Sequence, residues 1–253
     1  MKIDLTRRVA LVTGGSRGIG AAIVKMLSEA GADVAFTYNK HKKAVEVVEK
    51  IVSSNGVGCL ALRLEVDQQR QVRSVVNQII KEFGRIDILV NNVGIWTYGA
   101  IGSMSEKTWD ETIAVNLKSM FLFCNEVVPH MKKQGGGRII NISSTAGQRG
   151  EAYHSHYAAS KGGMIAFTKS LGPELIRDKI YVNCVSPGWV ATDMTKKELS
   201  DPKVGKEIKR VIPRGCVATA EEIANCVIFL ASELSNNLVG SIISANGGAV
   251  LSN

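Results

Sequence analysis

Two groups of residues in this chain have types and spacings suited to chemistry. The first is Tyr157-Ala158-Ala159-Ser160-Lys161, in which a phenol and an ammonium stand four residues apart. On a helix that spacing puts both on one face. An ammonium beside a phenol stabilises the phenolate, so the expected effect is a tyrosine pKa drawn down from about 10. Such a tyrosine serves as a general acid/base. The second is the turn Thr13-Gly14-Gly15-Ser16-Arg17-Gly18-Ile19-Gly20. Glycines let a backbone turn sharply against a pyrophosphate, whose charge then meets the free N–H groups and positive dipole end of the following helix. The spacing is Gly-x-x-x-Gly-x-Gly, distinct from the Gly-x-Gly-x-x-Gly dinucleotide fingerprint.

These residues need elements to hold them, and the chain alternates short β-branched runs with longer amphipathic segments. Strands are expected at 8–13, 34–38, 60–66, 86–91, 138–142, 181–185 and 241–244. Helices are expected at 18–30, 41–53, 72–83, 105–131, 155–176 and 220–231, with Ser105 as an N-cap. Near-continuous apolar strands alternating with helices imply an α/β, Rossmann-like, doubly wound parallel sheet of about seven strands, covered on both faces. With no linker or repeat visible, the chain reads as one domain over 1–253. A ligand on such a sheet sits beyond the carboxyl ends of the strands, at the switch in strand order.

The end of the second strand indicates which nucleotide is taken. An acid there would hold the ribose 2′-hydroxyl of NAD. The sequence instead reads Thr37-Tyr38-Asn39-Lys40, and Asp33 begins the strand, ~16 Å away at the rise of an extended chain. Arg17, Lys40, His41, Lys42 and Lys43 cluster where a 2′-phosphate would lie, and a guanidinium suits phosphate. NADP(H) is the expected cofactor.

Composition narrows the remaining classes. The 253 residues are 45% hydrophobic and 21% charged, suited to a globular domain with a sizeable core. The net charge of +8 comes without the aromatic-interleaved basic stripes of nucleic-acid binders, so no nucleic-acid partner is expected. No apolar run is long enough for a membrane span and no leader is read at the N-terminus. The cysteines at 59, 124, 184, 216 and 226 are odd in number and contain no CxxC, which reads as buried free thiols in a reducing cytoplasm. No metal-ligand set is seen among the histidines, acids and cysteines.

With these segments in place the chain resembles the short-chain dehydrogenase/reductases along essentially its whole length. The resemblance rests on Thr13-Gly14-x-x-x-Gly18-x-Gly20, Asn91-Asn92-Val93-Gly94, Asn116, Ser144, Tyr157-x-x-x-Lys161 and Pro187-Gly188, in the family's order. It implies Tyr157 as proton donor to the substrate oxygen. Lys161 lowers its pKa and bonds the nicotinamide ribose, Ser144 orients the carbonyl, and Asn116 holds a water that links the lysine to solvent. The family's serine-to-tyrosine spacing selects Ser144 over Ser143. Cofactor contacts implied are Gly14, Gly15, Ser16, Arg17, Gly18, Ile19, Gly20, Asn39, Lys40, Glu65, Val66, Asn92, Gly94, Tyr157, Lys161, Pro187, Gly188, Val190 and Thr192. The departures are Glu65 where relatives often have aspartate, Val93 for alanine, and Asn246 for the aspartate of a closing Val-Asp-Gly-Gly, a tail near subunit contacts in relatives. A homotetramer is implied, with the helices at 105–131 and 155–176 as subunit faces.

The segment from Pro187 to Met194 and the lysine-rich stretch after it resemble the lid of 3-oxoacyl-[acyl-carrier-protein] reductases, placing a substrate lid at about 190–215. A basic lid suits an acidic acyl carrier protein; an ordinary solvated lid is the other reading. Where relatives use two arginines for carrier docking, this chain has Asp178 beside Arg177, and Lys133-Gln134 near the second. Three functions stay open: an NADPH-dependent reductase of 3-oxoacyl thioesters in fatty acid biosynthesis, a dehydrogenase of a free sugar, alcohol or cyclic ketone, and a nucleotide-binding regulator without chemistry. Trp96, Trp189, His154 and His156 read as walls of the cleft or as packing.

Overall fold

The computed structural model describes residues 3–251. Seven parallel strands form one sheet: β1 (Val9–Val12), β2 (Asp33–Tyr38), β3 (Cys59–Arg63), β4 (Ile88–Asn91), β5 (Gly137–Ile142), β6 (Ile180–Pro187) and β7 (Ile242–Ala245), in the order β3-β2-β1-β4-β5-β6-β7. The order reverses between β1 and β4, and that is the crevice where such sheets bind ligands. The expected Rossmann-like, doubly wound architecture is the one observed.

Strand periodicity sorts the core into two layers. Ala10 and Val12 of β1 face one way, with α1 (Gly18–Glu29), α2 (Lys42–Ser54) and α10 (Ala220–Ala231) packed over them through Ile23, Leu27, Val48 and Val227. Val9 and Leu11 face the other way, against α3 (Gln69–Phe83), α5 (Ser119–Gln134) and α7 (Ser155–Leu175) through Val76, Ile79, Phe123, Val127 and Met164. Each large side chain so buried contributes about 1.5–3 kcal/mol.

Several elements differ from expectation. The helix anticipated over 105–131 is interrupted: α4 (Glu106–Ile113) passes into a π turn, Ala114–Lys118, before α5 begins. Ser105 caps α4, its Oγ accepting from the Thr108 N–H at 3.1 Å. The strand expected at 60–66 stops at Arg63, so Glu65 and Val66 belong to the loop beyond β3. α7 ends at Leu175 in a short 3₁₀ turn. The lysine-rich stretch after Met194, expected to be helical, forms two short helices, α8 (Lys196–Ser200) and α9 (Pro202–Arg210), whereas α6 (Thr145–Arg149) was not anticipated. At five residues α6 is too brief to show an apolar period. α6 can lie against α7 because position 147 is glycine; a Cβ there would sit 2.5 Å from the Lys161 carbonyl carbon.

A buried polar thread crosses the sheet. Asn91 of β4 and Asn141 of β5 are partners in register, and the Asn91 amide donates to Asn141 Oδ1 at 2.9 Å. Asn141 in turn donates to Thr168 Oγ1 on α7 at 2.9 Å. Of the free thiols, Cys124 and Cys184 are buried and Cys59 and Cys226 half-buried. Cys216 is exposed, contrary to the expectation of buried thiols, because its apolar neighbours sit in a surface turn after Pro213.

Candidate active site

The carboxyl ends of β1, β4, β5 and β6 open into one cavity of about 680 Å³. At its floor the glycine turn leaves β1 and enters α1. Gly14 has φ +67°, and a Cβ on Gly20 would collide with the Gly14 carbonyl oxygen, so turn and helix touch only because both residues are glycine. Asn92 ties the arrangement together, its side chain donating to the carbonyls of Thr13 at 2.9 Å and Gly14 at 3.2 Å. Thr37 closes the other side, its Oγ1 accepting from Gly14 N–H at 3.2 Å. The residue before α1, Arg17, is extended and supplies no side-chain cap, which leaves the first N–H groups of the helix facing the cavity.

The end of β2 is as basic as the sequence suggested. Asn39, Lys40 and His41 line the cavity with Arg17, while Lys42 and Lys43 open the exposed first turn of α2. Asp33 is engaged at the far end of the strand, accepting from Gly58 N–H at 2.6 Å. Arg17 reaches across to Asp193 at 3.9 Å, between two exposed side chains. One cation escaped the sequence reading. Arg63 pairs in register with Tyr38 and donates through Nε to the Asn39 carbonyl at 2.9 Å. Its position at the end of a neighbouring strand could have revealed it.

Higher in the cavity the catalytic candidates converge. Tyr157 and Lys161 lie on α7 and line the same space as Ser144, Gly94, Pro187, Gly188, Val190 and Thr192. Ser143 is buried and donates to the Lys161 carbonyl at 2.8 Å. Ser144 caps α6, accepting from Ala146 N–H at 3.1 Å, and its hydroxyl favours ionisation of the Tyr157 phenol. Ser143 is thus engaged by the α7 backbone, while Ser144 lines the cavity beside Tyr157. Gly94 sits where a Cβ would come within 3.3 Å of the Lys161 ammonium.

Asn116 lies in the π turn, fully buried. Its Oδ1 accepts from Ile95 N–H at 2.8 Å, and its Nδ2 donates to the Ile95 carbonyl and to Ser160 Oγ, each at 3.0 Å. π turns recur at functional sites; this one turns the amide towards the loop after β4. Ser160 donates to the Tyr157 carbonyl at 2.7 Å, so the asparagine is connected to the tyrosine's own turn of helix.

The electrostatics correct one expectation. Burial pushes the Tyr157 phenol up to about 12; Ser144 opposes this and Glu151 adds to it. Burial holds the Lys161 amine down to about 8. The anticipated acidification of the phenol by its neighbour is not the dominant effect. The ammonium lies 5.9 Å from the ring centroid and donates to the Ile142 carbonyl at 2.7 Å, and desolvation of both groups outweighs their mutual influence.

The outer wall is aromatic. Trp96 stacks on His154 at 4.5 Å and meets Trp189 edge-on at 5.8 Å. The loops carrying Trp96 and His154 are joined by an isolated bridge between Gly99 and His154. His156 is buried against Thr97, with 3.0 Å between Nε2 and Oγ1. Asn246, six per cent exposed, backs the Pro187-Gly188 turn: a Cβ on Gly188 would lie 3.0 Å from its own.

A parallel sheet with a glycine turn at its switch point and Ser-Tyr-Lys above it defines an oxidoreductase of the NAD(P)-dependent class that interconverts C=O and CH–OH. A family model described as enoyl-(acyl carrier protein) reductase matches residues 14–250, and the chain belongs to the short-chain dehydrogenase/reductase family. It is 38% identical over 248 residues to the 3-oxoacyl-[acyl-carrier-protein] reductase of Chlamydia pneumoniae, covering 98% of this chain and 99% of the relative. The Escherichia coli enzyme of the same name is 40% identical over 241 residues, covering 95% and 96%. Among solved structures, a protein assigned as a short-chain alcohol dehydrogenase from Sinorhizobium meliloti superposes with TM-score 0.94 at 31% identity, over 98% of both chains. One from Beutenbergia cavernae, assigned as an NAD(P)-dependent gluconate 5-dehydrogenase with bound NADP, gives 0.92 at 29% identity, covering 98% of this chain and 99% of that one.

Proposed function

We propose that the protein is an NADPH-dependent reductase of 3-oxoacyl thioesters, acting on acyl chains borne by an acyl carrier protein in fatty acid biosynthesis. The observation that carries this reading is the convergence of Ser144, Tyr157 and Lys161 beside the glycine-turn crevice, in a chain whose curated relatives bear that activity by name.

The residues present fit a dinucleotide. The uncapped start of α1, the left-handed Gly14 and the absence of a side chain at Gly94 leave backbone surface open to a phosphorylated ligand. Gly14, Gly15, Ser16, Gly18, Ile19 and Gly20 would take the pyrophosphate, Arg17, Asn39 and Lys40 the adenosine phosphate, and Glu65, Val66 and Asn92 the adenosine. Lys161, Pro187, Gly188, Val190 and Thr192 would hold the nicotinamide end. When bound, the nicotinamide supplies the hydride.

The chain's own residues handle the proton. At neutral pH Tyr157 is protonated, the state an acid needs at the start of a reduction. Ser144 donates to the reacting oxygen and holds it against the phenol. Once the proton has left, the phenolate has the Ser144 hydroxyl and the Lys161 ammonium as its nearest stabilising groups. Lys161, titrating near pH 8, is the member of the pair suited to proton exchange, with Asn116 positioning the segment beside it.

Segment 190–215 is the proposed lid, part of one domain spanning 1–253. It carries Lys196, Lys197, Lys203, Lys206 and Lys209 on and around α8 and α9. The positions that dock carrier protein in relatives are engaged internally: Lys132 pairs with Asp178 at 2.7 Å, and Gln134 donates to the carbonyls of Ile86 and Gly136. The lid lysines are therefore the proposed carrier contact. A homotetramer in the cytoplasm completes the reading, with exposed Trp109 of α4 and Phe121 of α5 suited to burial against second copies.

The test is turnover of acetoacetyl-carrier protein and acetoacetyl-CoA, compared with glucose and cyclohexanone, followed by NADPH oxidation. Thioester reduction is expected; indifference to both thioesters removes the substrate assignment. A second reading, a dehydrogenase of a free sugar, alcohol or cyclic ketone, is favoured by a carboxylate, Glu151, in the cavity wall.

A further inference from the structure

Glu151 stands out because an oxidoreductase working on neutral acyl chains has no evident need for a half-buried carboxylate near its acid. It lines the same cavity as Ser144 and Tyr157, and its charge is close enough to oppose ionisation of the phenol. The groups around it are polar edges of the aromatic wall. The Trp96 indole N–H, His154 and Arg149 all favour its ionised form against the burial that disfavours it. His154 Nδ1 is 3.9 Å from Oε1, but that nitrogen is also 3.0 Å from the Ala152 carbonyl. Trp96 is itself held flat against His154 and edge-on to Trp189, so the carboxylate stands beside a rigid aromatic frame. A carboxylate accepts several hydrogen bonds, and Glu151 lines the cavity with that capacity available to a donor there.

We infer that Glu151 is a specificity-determining residue, accepting a hydrogen bond from a donor (a hydroxyl or an amide N–H) that the substrate carries near its reacting carbonyl, and repelling substrates that carry a carboxylate there. This rests on the reading that Ser144 and Tyr157 hold the reacting oxygen. It makes the aromatic wall a surface for the body of the substrate and the carboxylate the feature that sorts one carbonyl compound from another. Discrimination of this kind is strong because a missing donor leaves a buried acceptor unpaired.

Three probes sharing the acetoacetyl group test it: the N-acetylcysteamine thioester, which carries an amide donor, the ethyl ester, which has none, and the free anion acetoacetate. In the full-length protein with NADPH, Glu151→Leu should lower kcat/KM for the amide-bearing thioester about tenfold, chiefly through KM, and leave the ethyl ester within about threefold. Glu151→Gln, which keeps shape and an acceptor but removes charge, should raise turnover of acetoacetate. Equal change for all three probes in both variants, or unchanged ratios, overturns the inference. Should wild-type protein ignore the esters yet reduce ketones, the thioester reading fails alone. The comparison then passes to 3-hydroxycyclohexanone against cyclohexanone, with intrinsic tryptophan quenching as the binding readout. Absence of discrimination on that pair overturns the role of Glu151.

Discussion

Lys161 directs its ammonium at the carbonyl of Ile142, 2.7 Å away, and stands 5.9 Å from the centre of the Tyr157 ring. Two ionisable groups on one face of α7 are thus each controlled more by burial than by the other. Their pKa values move apart, the phenol's up to about 12 and the amine's down to about 8. Both changes favour the uncharged form of each side chain. That pairing suits a site that must begin a reductive cycle with a proton on its tyrosine.

Replacing the acid isolates its role. Tyr157→Phe should reduce kcat by about 10²–10⁴, with NADPH affinity within about threefold of wild type by fluorescence titration, since only the hydroxyl is removed. Retained turnover would exclude Tyr157 as the proton donor.

The buried lysine makes stability depend on pH in a defined direction. Its folded pKa, about 8, lies below the 10.5 of an ordinary lysine. Between those values the unfolded chain holds the proton and the folded chain does not, so stability rises with pH across that window. Tyr157 acts oppositely, removing stability between pH 10 and about 12. Urea midpoints should therefore climb from pH 8 towards 10 in wild type and stay flatter in Lys161→Met. The difference is on the order of 3 kcal/mol at most, at about 1.4 kcal/mol per pKa unit. A parallel pH dependence in the two proteins would contradict the burial argument.

Nucleotide choice is expected to depend on Arg17. Hydrogen bonds to charged groups contribute about 1.5–3 kcal/mol, so Arg17→Ala should weaken NADPH by roughly tenfold to a hundredfold and NADH far less. Arg63→Ala, at the end of β3, should have a smaller effect of the same sign. Isothermal titration with both nucleotides decides the matter, and equal losses for NADPH and NADH would mean that the phosphate pocket lies elsewhere.

Contact between the glycine turn and α1 leaves no room for a methyl group. Gly20→Ala should destabilise the protein by about 1–3 kcal/mol, seen as a lower thermal midpoint, and weaken both nucleotides together. An unchanged midpoint would show that the turn can relax.

Asn116→Ala removes three hydrogen bonds from the π turn and leaves the Ile95 backbone groups without their partner. A cost of about 1–3 kcal/mol for the exposed deficit is expected. Hydrogen exchange should show faster opening at Ile95, whereas protection equal to wild type would argue that water replaces the amide.

Much of this was legible in the sequence because it depends on local pattern. The β-branched runs at Val9–Val12 and Ile139–Ile142 and the apolar period of α3 are signals a reader can count, and they place the sheet and its helices. The glycine turn was legible because only glycine tolerates the backbone geometry and close approach there. The π turn was not, since one extra residue per turn leaves no mark in a sequence whose Asn116 looks like any polar residue in a helix. The direction of the Tyr157 and Lys161 titrations was also hidden, because desolvation depends on everything folded around the pair. Arg63 was missed because Asn39, whose carbonyl it bonds, lies just past β2 and far away in sequence, and only the pairing of β2 with β3 brings the two together. Glu151 was missed because only the folded loop sets it against Trp96.

The amide thread between β4 and β5 has a consequence for how the chain finds its shape. Strands made of Ile, Val and Leu have no intrinsic mark to prevent sliding past one another by a pleat, since every second residue looks alike to the layer it faces. Asn91 and Asn141 supply that mark, because a shift of two residues in either direction breaks the amide pair and sets a buried amide opposite an apolar residue. A little further along the same strands come Asn92, which clasps the glycine turn, Ser143, which bonds the backbone of α7, and Ser144, beside Tyr157 in the cavity wall. A slip of one pleat would move these by about 6–7 Å. The alignment of two hydrophobic ribbons deep in the sheet thus fixes the height at which the reacting groups meet.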